Sequence, residues 1–290
     1  MWFYLALLSA ATVALRRLRD KRMTADYSNF TLGWLAQALS LPVVCGILIF
    51  SGHYTSPLGL GSDFWMPTLI VCVFFYPLNT FFYLQAIKHG ELSRVIPIMS
   101  LQPLAIMLTG QLMLSETPSR GSILSIACVV LGVYVLHLKQ RKLHNPLRPF
   151  LEERHSLYML LSVLCIAVCA VLDKQAIQAS NAVLYSAITT VGGVMSLYIT
   201  ARLAKEPRLR LVANDLKQLL VQGTLGGISS TTYLAALGLG PIAYVSAVRG
   251  SSVLITSVFG IVFLKETLTR PKLAAFLLIG FGSVVLAYSA

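Results

Sequence analysis

The sequence predicts an all-α membrane protein: ten transmembrane helices arranged as two inverted five-helix repeats. Three observations predict it. The 290 residues are 56% hydrophobic and only 12% charged, against about 25% charged in a soluble domain. Ten stretches each approach the ~20 apolar residues that cross a bilayer as a helix. Residues 83–138 also align without gaps on residues 233–288, with fourteen of the 56 pairs identical.

The spans fall near residues 2–18, 31–52, 65–88, 92–114, 120–138, 156–175, 182–203, 214–238, 242–264 and 271–289. The first, MWFYLALLSAATVALRRLRDKR, carries its positive charge after the apolar core. A signal peptide has the reverse order, so this stretch reads as a retained span with its amino end outside. Short connections leave no room for a soluble domain on either face. Pro77 and the run GTLGG at 223–227 mark places where spans bend or pack closely. Cys45, Cys72, Cys128, Cys165 and Cys169 all fall within spans, which argues against a disulfide framework or a metal knuckle. They read as small packing residues.

Charge sets the orientation. When loops are assigned alternately to two faces, twenty Lys and Arg lie on one face, and Arg120 and Lys174 on the other. The positive-inside rule puts the face with twenty in the cytoplasm, and both termini outside. The net charge of +12 therefore belongs to membrane topology rather than to nucleic-acid binding.

The 150-residue shift pairs Tyr83 with Tyr233, Gly110 with Gly260, Glu116 with Glu266 and Arg120 with Arg270. Shared hydrophobicity does not generate E-T-x-x-R at one register. A shift of 153 pairs LLS at 7–9 with 160–162, and Asp20-Lys21 with Asp173-Lys174. The chain thus divides into a first repeat at 1–138, a basic cytoplasmic linker at 139–155 and a second repeat at 156–290. Five spans is an odd number, so the second copy enters the membrane inverted. Inverted repeats that rock about a midplane site are a transporter architecture. With LSETPSRGSILSIACVVLGVYVL and LKETLTRPKLAAFLLIGFGSVVLAY closing the two copies, the chain resembles the drug/metabolite transporter superfamily in its ten-helix EamA-like branch. The resemblance implies secondary transport or facilitated movement of small polar metabolites or amphipathic drugs. Many ten-helix relatives keep both termini in the cytoplasm, whereas the charges here place them outside.

Arg249 lies about seven residues into its span, opposite Met99 of the first copy. A charge in hydrocarbon costs ~2.5 kcal/mol or more. Three readings are open: snorkelling to the outer interface, capping carbonyls of a broken helix, and holding an anion in an aqueous cavity. The last is favoured, because a guanidinium fork fits a carboxylate or phosphate and the acidic residues all read as lying in loops or near span ends. RGSS at 249–252 and MSLQP at 99–103 are polar or Pro-containing at matching depth. Ser100, Gln102, Arg249, Ser251 and Ser252 are therefore substrate-binding candidates; helix packing competes for the serines. Asn79 with Ser229 and Tyr83 with Tyr233 form a second corresponding set, with an interfacial aromatic belt as the rival reading for the tyrosines. Asp20, Lys21, Asp173 and Lys174 sit at opposite mouths as candidate gates, with weak surface pairing as the alternative.

The histidines fall in loops or at span ends, and no HExxH motif or intramembrane carboxylate pair is present, which argues against an enzyme. The reading is a secondary transporter of a small polar metabolite (amino acid, organic acid, sugar phosphate or nucleotide sugar) or amphipathic drug, with anionic substrates favoured by Arg249. It works by alternating access, as exchange or facilitated diffusion rather than strict proton coupling. A lipid or lipid-linked carrier flippase is the alternative. The expected setting is a bacterial inner membrane, with no cofactor or metal, as a monomer or loose dimer whose partners are the metabolite and the bilayer.

Overall fold

A computed structural model describes residues 1–23, 28–52, 59–89, 98–99, 101–116, 120–137, 154–206 and 213–252, with isolated positions between 255 and 285. Among these residues the structure is all-helical. In order come α1 (Trp2–Met23), α2 (Asn29–Ser51), α3 (Ser62–Ile70), a π-helical segment (Val71–Phe75) and α4 (Tyr76–His89). Then follow α5 (Gln102–Leu114), α6 (Arg120–His137), α7 (Arg154–Gln178), α8 (Ala182–Leu203), α9 (Ala213–Leu239) and α10 (Ile242–Gly250). Most of the tenth expected span and of the linker lies outside the described residues. So do Ser100 and the second half of the ninth span.

Among the described residues, four stretches are long and apolar enough to cross a membrane: Phe30–Ser51, Ser62–Lys88, Arg154–Gln178 and Ala182–Leu203. The burial pattern is that of a lipid-embedded bundle. Phe50, Leu112 and Leu203 point outward, exposed by 93%, 83% and 78%, whereas Ser9, Ser186, Thr189, Thr190 and Ser229 are buried. Small hydroxyl-bearing residues let helices approach closely where lipid supplies no hydrophobic drive between them.

Local chemistry explains the helix ends. Asn181 caps α8 by accepting the Leu184 amide at 2.8 Å. α2 has no cap from its own Ser28; the Glu206 carboxylate, just past α8, accepts from Phe30 N at 3.1 Å and Thr31 N at 2.8 Å instead. Pro103 sits in the first turn of α5, where its missing N–H costs no bond. Gly223 and Gly227 of α9 press against α2: a Cβ on Gly223 would come 2.6 Å from the Leu39 carbonyl, and one on Gly227 3.0 Å from Ser40 O.

The packing follows a recurring pattern. α1 packs on α9 as α7 packs on α4, and α1 packs on α10 as α7 packs on α5. α2 packs on α8, and α5 on α10. A core of Phe64, Ile106, Tyr185, Leu237, Ile242 and Val248 joins these elements.

Candidate functional site

A cavity of about 350 Å³ opens between α1, α2, α4, α5, α7, α9 and α10. Among the described residues, three charged ones line it: Arg16, Asp173 and Arg249. At 1.5 Å per residue, Asp173 lies roughly 7 Å and Arg16 roughly 10 Å inside the nearer end of its helix, and Arg249 sits in the last turn of α10. Two guanidiniums face one carboxylate, so the cavity is formally positive.

Arg249 is held from below. Its guanidinium carbon lies 3.9 Å from the centre of the Tyr233 ring, a cation–π arrangement. The Tyr233 hydroxyl in turn lies 3.4 Å from Ser246 Oγ. Tyr233 is buried, so it supports the guanidinium rather than forming part of an interfacial belt. Asp173 is held by the fully buried Tyr185, which donates its hydroxyl to Asp173 Oδ1 at 2.6 Å. The ring of Phe64 stands edge-on to Tyr185 at 6.1 Å. Arg16 lies along α9, where Gly226 makes room: a Cβ there would come 3.3 Å from Arg16 Nη1.

Of the residues nominated from sequence, Arg249, Gln102, Asn79, Tyr83 and Tyr233 line the cavity. The others go elsewhere. Ser229 lies in the α1–α9 contact, where Ser9 Oγ donates to Ser229 O at 2.9 Å. Ser251 is buried and donates to Val248 O of its own turn at 2.6 Å. Ser252 is buried too, away from the lining. Asp20 and Lys21 lie in the last turns of α1, with side chains outside the described residues.

Two expectations need correcting. Asp173 and Lys174 do not form a pair with each other. Neighbours on a helix point about 100° apart, and these two diverge accordingly. Lys174 pairs with Glu116 and donates to Gly240 O at 2.8 Å. The second Glu116 oxygen accepts from Ile242 N at 3.1 Å, capping α10. Asp173 instead faces the cavity, so a carboxylate does stand within the helical bundle near Arg249. Arg16 is the functional candidate that sequence reading passed over, and Asp173 was nominated only as a gate, not as a cavity residue. The 153-residue shift was a usable signal, since it sets Arg16 opposite Cys169, one turn from Asp173 and also on the cavity wall.

The helices facing each other across the cavity tighten at paired positions. Leu101 N bonds Ile98 O at 3.0 Å, and Ser251 N bonds Val248 O at 3.1 Å. Both are i→i+3 bonds, and the two turns are related by the 150-residue shift.

The profile of the EamA-like transporter family matches residues 1–138 and 154–288. The chain belongs to this family. Membership makes it a multi-pass membrane transporter of the drug/metabolite type. A solved crystal structure of a protein superposes with a TM-score of 0.78, covering 99% of this chain and 96% of the other. At 16% identity that likeness concerns the fold alone. Comparison with curated proteins gives no match.

Proposed function

We propose that this EamA-family chain is a secondary transporter that carries a small polar metabolite bearing an anionic group. Transport runs by alternating access of two inverted five-helix repeats, each half of the ten-span bundle. The observation that carries the reading is the pair of guanidiniums, Arg16 and Arg249, on one cavity framed by helices of both repeats. In a water-poor cleft a guanidinium fork is a strong carboxylate or phosphate ligand. The volume of 350 Å³ lies at the small end of the ~300–1,000 Å³ range of small-molecule sites, which favours a metabolite over a lipid-linked saccharide.

Support for the inverted halves comes from chemistry repeated at matching register. Ser9 meets Ser229 between α1 and α9, and Ser162 Oγ donates to Asn79 Oδ1 at 2.7 Å between α7 and α4. The 153 and 150 shifts exchange these two contacts. The paired turns at Leu101 and Ser251 obey the same exchange, as does the packing pattern of the helices. The excess of Lys and Arg on one face favours termini outside the cytoplasm, in a bacterial inner membrane.

Lys174 with Glu116 is the outer gate in this reading, since it ties α7 of the second repeat to the end of α5 in the first. Opening to the outside separates them. Transport proceeds by exchange or facilitated diffusion. Proteoliposomes tested with radiolabelled small carboxylates and phosphates are expected to take them up, faster with the same solute inside. Scrambling of a fluorescent lipid without solute uptake would instead establish the flippase reading.

A further inference from the structure

We infer that Gly193 of α8 sets the largest solute the cavity accepts, because it lets the Tyr76 ring lie back against its helix. Gly193 is thus a positioning residue that acts through Tyr76. This rests on the carrier reading of the same cavity and assigns what limits the size of its substrate.

Gly192 and Gly193 are neighbours on α8, and both face the junction of the π-helical segment with α4. A Cβ on Gly192 would come 2.7 Å from Cys72 Sγ. A Cβ on Gly193 would come 3.0 Å from both Cδ2 and Cε2 of Tyr76. That is several tenths of an ångström inside the ~3.5–4.0 Å optimum between carbons. A ring is rigid, so it answers such a contact by moving as a whole. Tyr76 lines the cavity, whereas Gly193 is buried behind it and does not. The ring has helix at its back and open volume in front, so the space it yields into is the cavity. Cys72 is off the cavity lining, so crowding it from Gly192 leaves that volume alone.

The backbone and the repeat both single out this wall. Tyr76 N–H reaches back five residues to Val71 O, the wide turn of a π-helix, which breaks the regular helical register just before the ring. The 150-residue shift sets Tyr76 opposite Gly226. There the parts are exchanged: the glycine is on the long helix, and Arg16 Nη1 fills the notch, 3.3 Å from where a Cβ would stand. Beside it, Gly223 and Gly227 close onto the α2 backbone at Leu39 and Ser40. That half of the bundle is fixed by main chain against main chain. The Tyr76 half is a side chain resting on a glycine, where one methyl changes the capacity.

The test measures uptake into proteoliposomes holding the full-length protein, with two graded series of radiolabelled anions. One is inorganic phosphate, glycerol phosphate and glucose phosphate; the other is malonate, glutarate and pimelate. Gly193→Ala is expected to weaken the largest member the native protein carries by about tenfold or more, the scale of one methylene too many in a pocket, and the smallest by less than about twofold. Adding Tyr76→Leu to Gly193→Ala is expected to restore the large member. Tyr76→Phe keeps the ring and is expected to keep the native limit. Gly192→Ala is expected to leave the large-to-small ratio within about twofold of native, even where it lowers the yield of folded protein. Should Gly193→Ala not fold, Tyr76→Leu alone is expected to admit the next larger member of a series, and no gain would overturn the inference. It is also overturned if Gly193→Ala leaves the ratio unchanged, or if Tyr76→Leu does not rescue it. Uptake of no member by the native protein would instead sink the carrier reading. The seat is then read from thermal unfolding, where Tyr76→Leu is expected to relieve the loss caused by Gly193→Ala, and strict additivity of the two overturns it.

Discussion

The Arg249 guanidinium stacks on the ring of Tyr233, 3.9 Å from its centre. The ring comes from α9 and the cation from α10, so the contact sets where the positive pole points. A desolvated cation–π contact is worth ~0.5–2 kcal/mol. Tyr233→Leu is therefore expected to weaken carboxylate binding by roughly 2–30-fold. Tyr233→Phe keeps the ring and should stay within about twofold of the native protein. Titration of both variants decides the matter. Equal losses would move the role from the ring to the hydroxyl and its contact with Ser246.

Lys174 crosses to Glu116 and also holds Gly240 O, while Glu116 caps α10. Lys174 is buried and Glu116 is about a quarter exposed, at 10% and 25% of their side-chain areas. Removing the lysine leaves a partly buried carboxylate without its cation. Lys174→Met is expected to destabilise the protein by roughly 1–3 kcal/mol, below the full cost of breaking a deeply buried pair. Glu116→Gln is expected to cost a comparable amount, because its single amide oxygen replaces only one of the two acceptors and its NH2 faces the other donor, Lys174 Nζ or Ile242 N. Thermal unfolding of the two single variants and the double variant measures the coupling. Strict additivity would show that the two residues do not interact.

Glu206 gathers four donors from the start of α2: Ser28 Oγ, Phe30 N, Thr31 N and Thr31 Oγ1. The first turn of one helix thus depends on a residue 175 positions away. Glu206→Ala is expected to cost roughly 1–3 kcal/mol and to speed amide exchange at Phe30 and Thr31. Unchanged protection at those two amides would contradict the assignment.

Gly223 and Gly46 offer a paired test of helix contact. A Cβ on Gly223 meets the Leu39 carbonyl carbon and oxygen at 2.6 Å, and backbone cannot move aside cheaply. A Cβ on Gly46 of α2 meets nothing within 4 Å. Gly223→Ala is expected to lower the yield of folded protein and its melting temperature. Gly46→Ala should be neutral or stabilising by up to about 1 kcal/mol, since alanine restrains the unfolded chain. Similar melting temperatures for the two variants would mean that α2 and α9 do not touch at Gly223.

The sequence made the spans legible because each buries its own backbone bonds and must be apolar along its length. The cavity was only partly legible. Arg249 stood out against an apolar run. Arg16 was hidden inside RRLRDKR and read with the cytoplasmic charges, although α1 continues as helix to Met23. Asp173 was read together with Lys174 as a mouth pair, yet adjacent helical residues face different ways. Ser251 was placed on the cavity because polarity alone does not tell a cavity hydroxyl from one bonded to its own turn. Glu206 sent no signal, since the donors it serves are main-chain groups.

The most direct test of the central claim is uptake of a radiolabelled small carboxylate into proteoliposomes, comparing the native protein with Arg249→Gln and a carboxylate with its neutral amide. The account predicts saturable uptake by the native protein, accelerated by unlabelled solute inside, and a loss of about tenfold or more in Arg249→Gln that is confined to the carboxylate. Uptake of the carboxylate by Arg249→Gln at the native rate and affinity would contradict it.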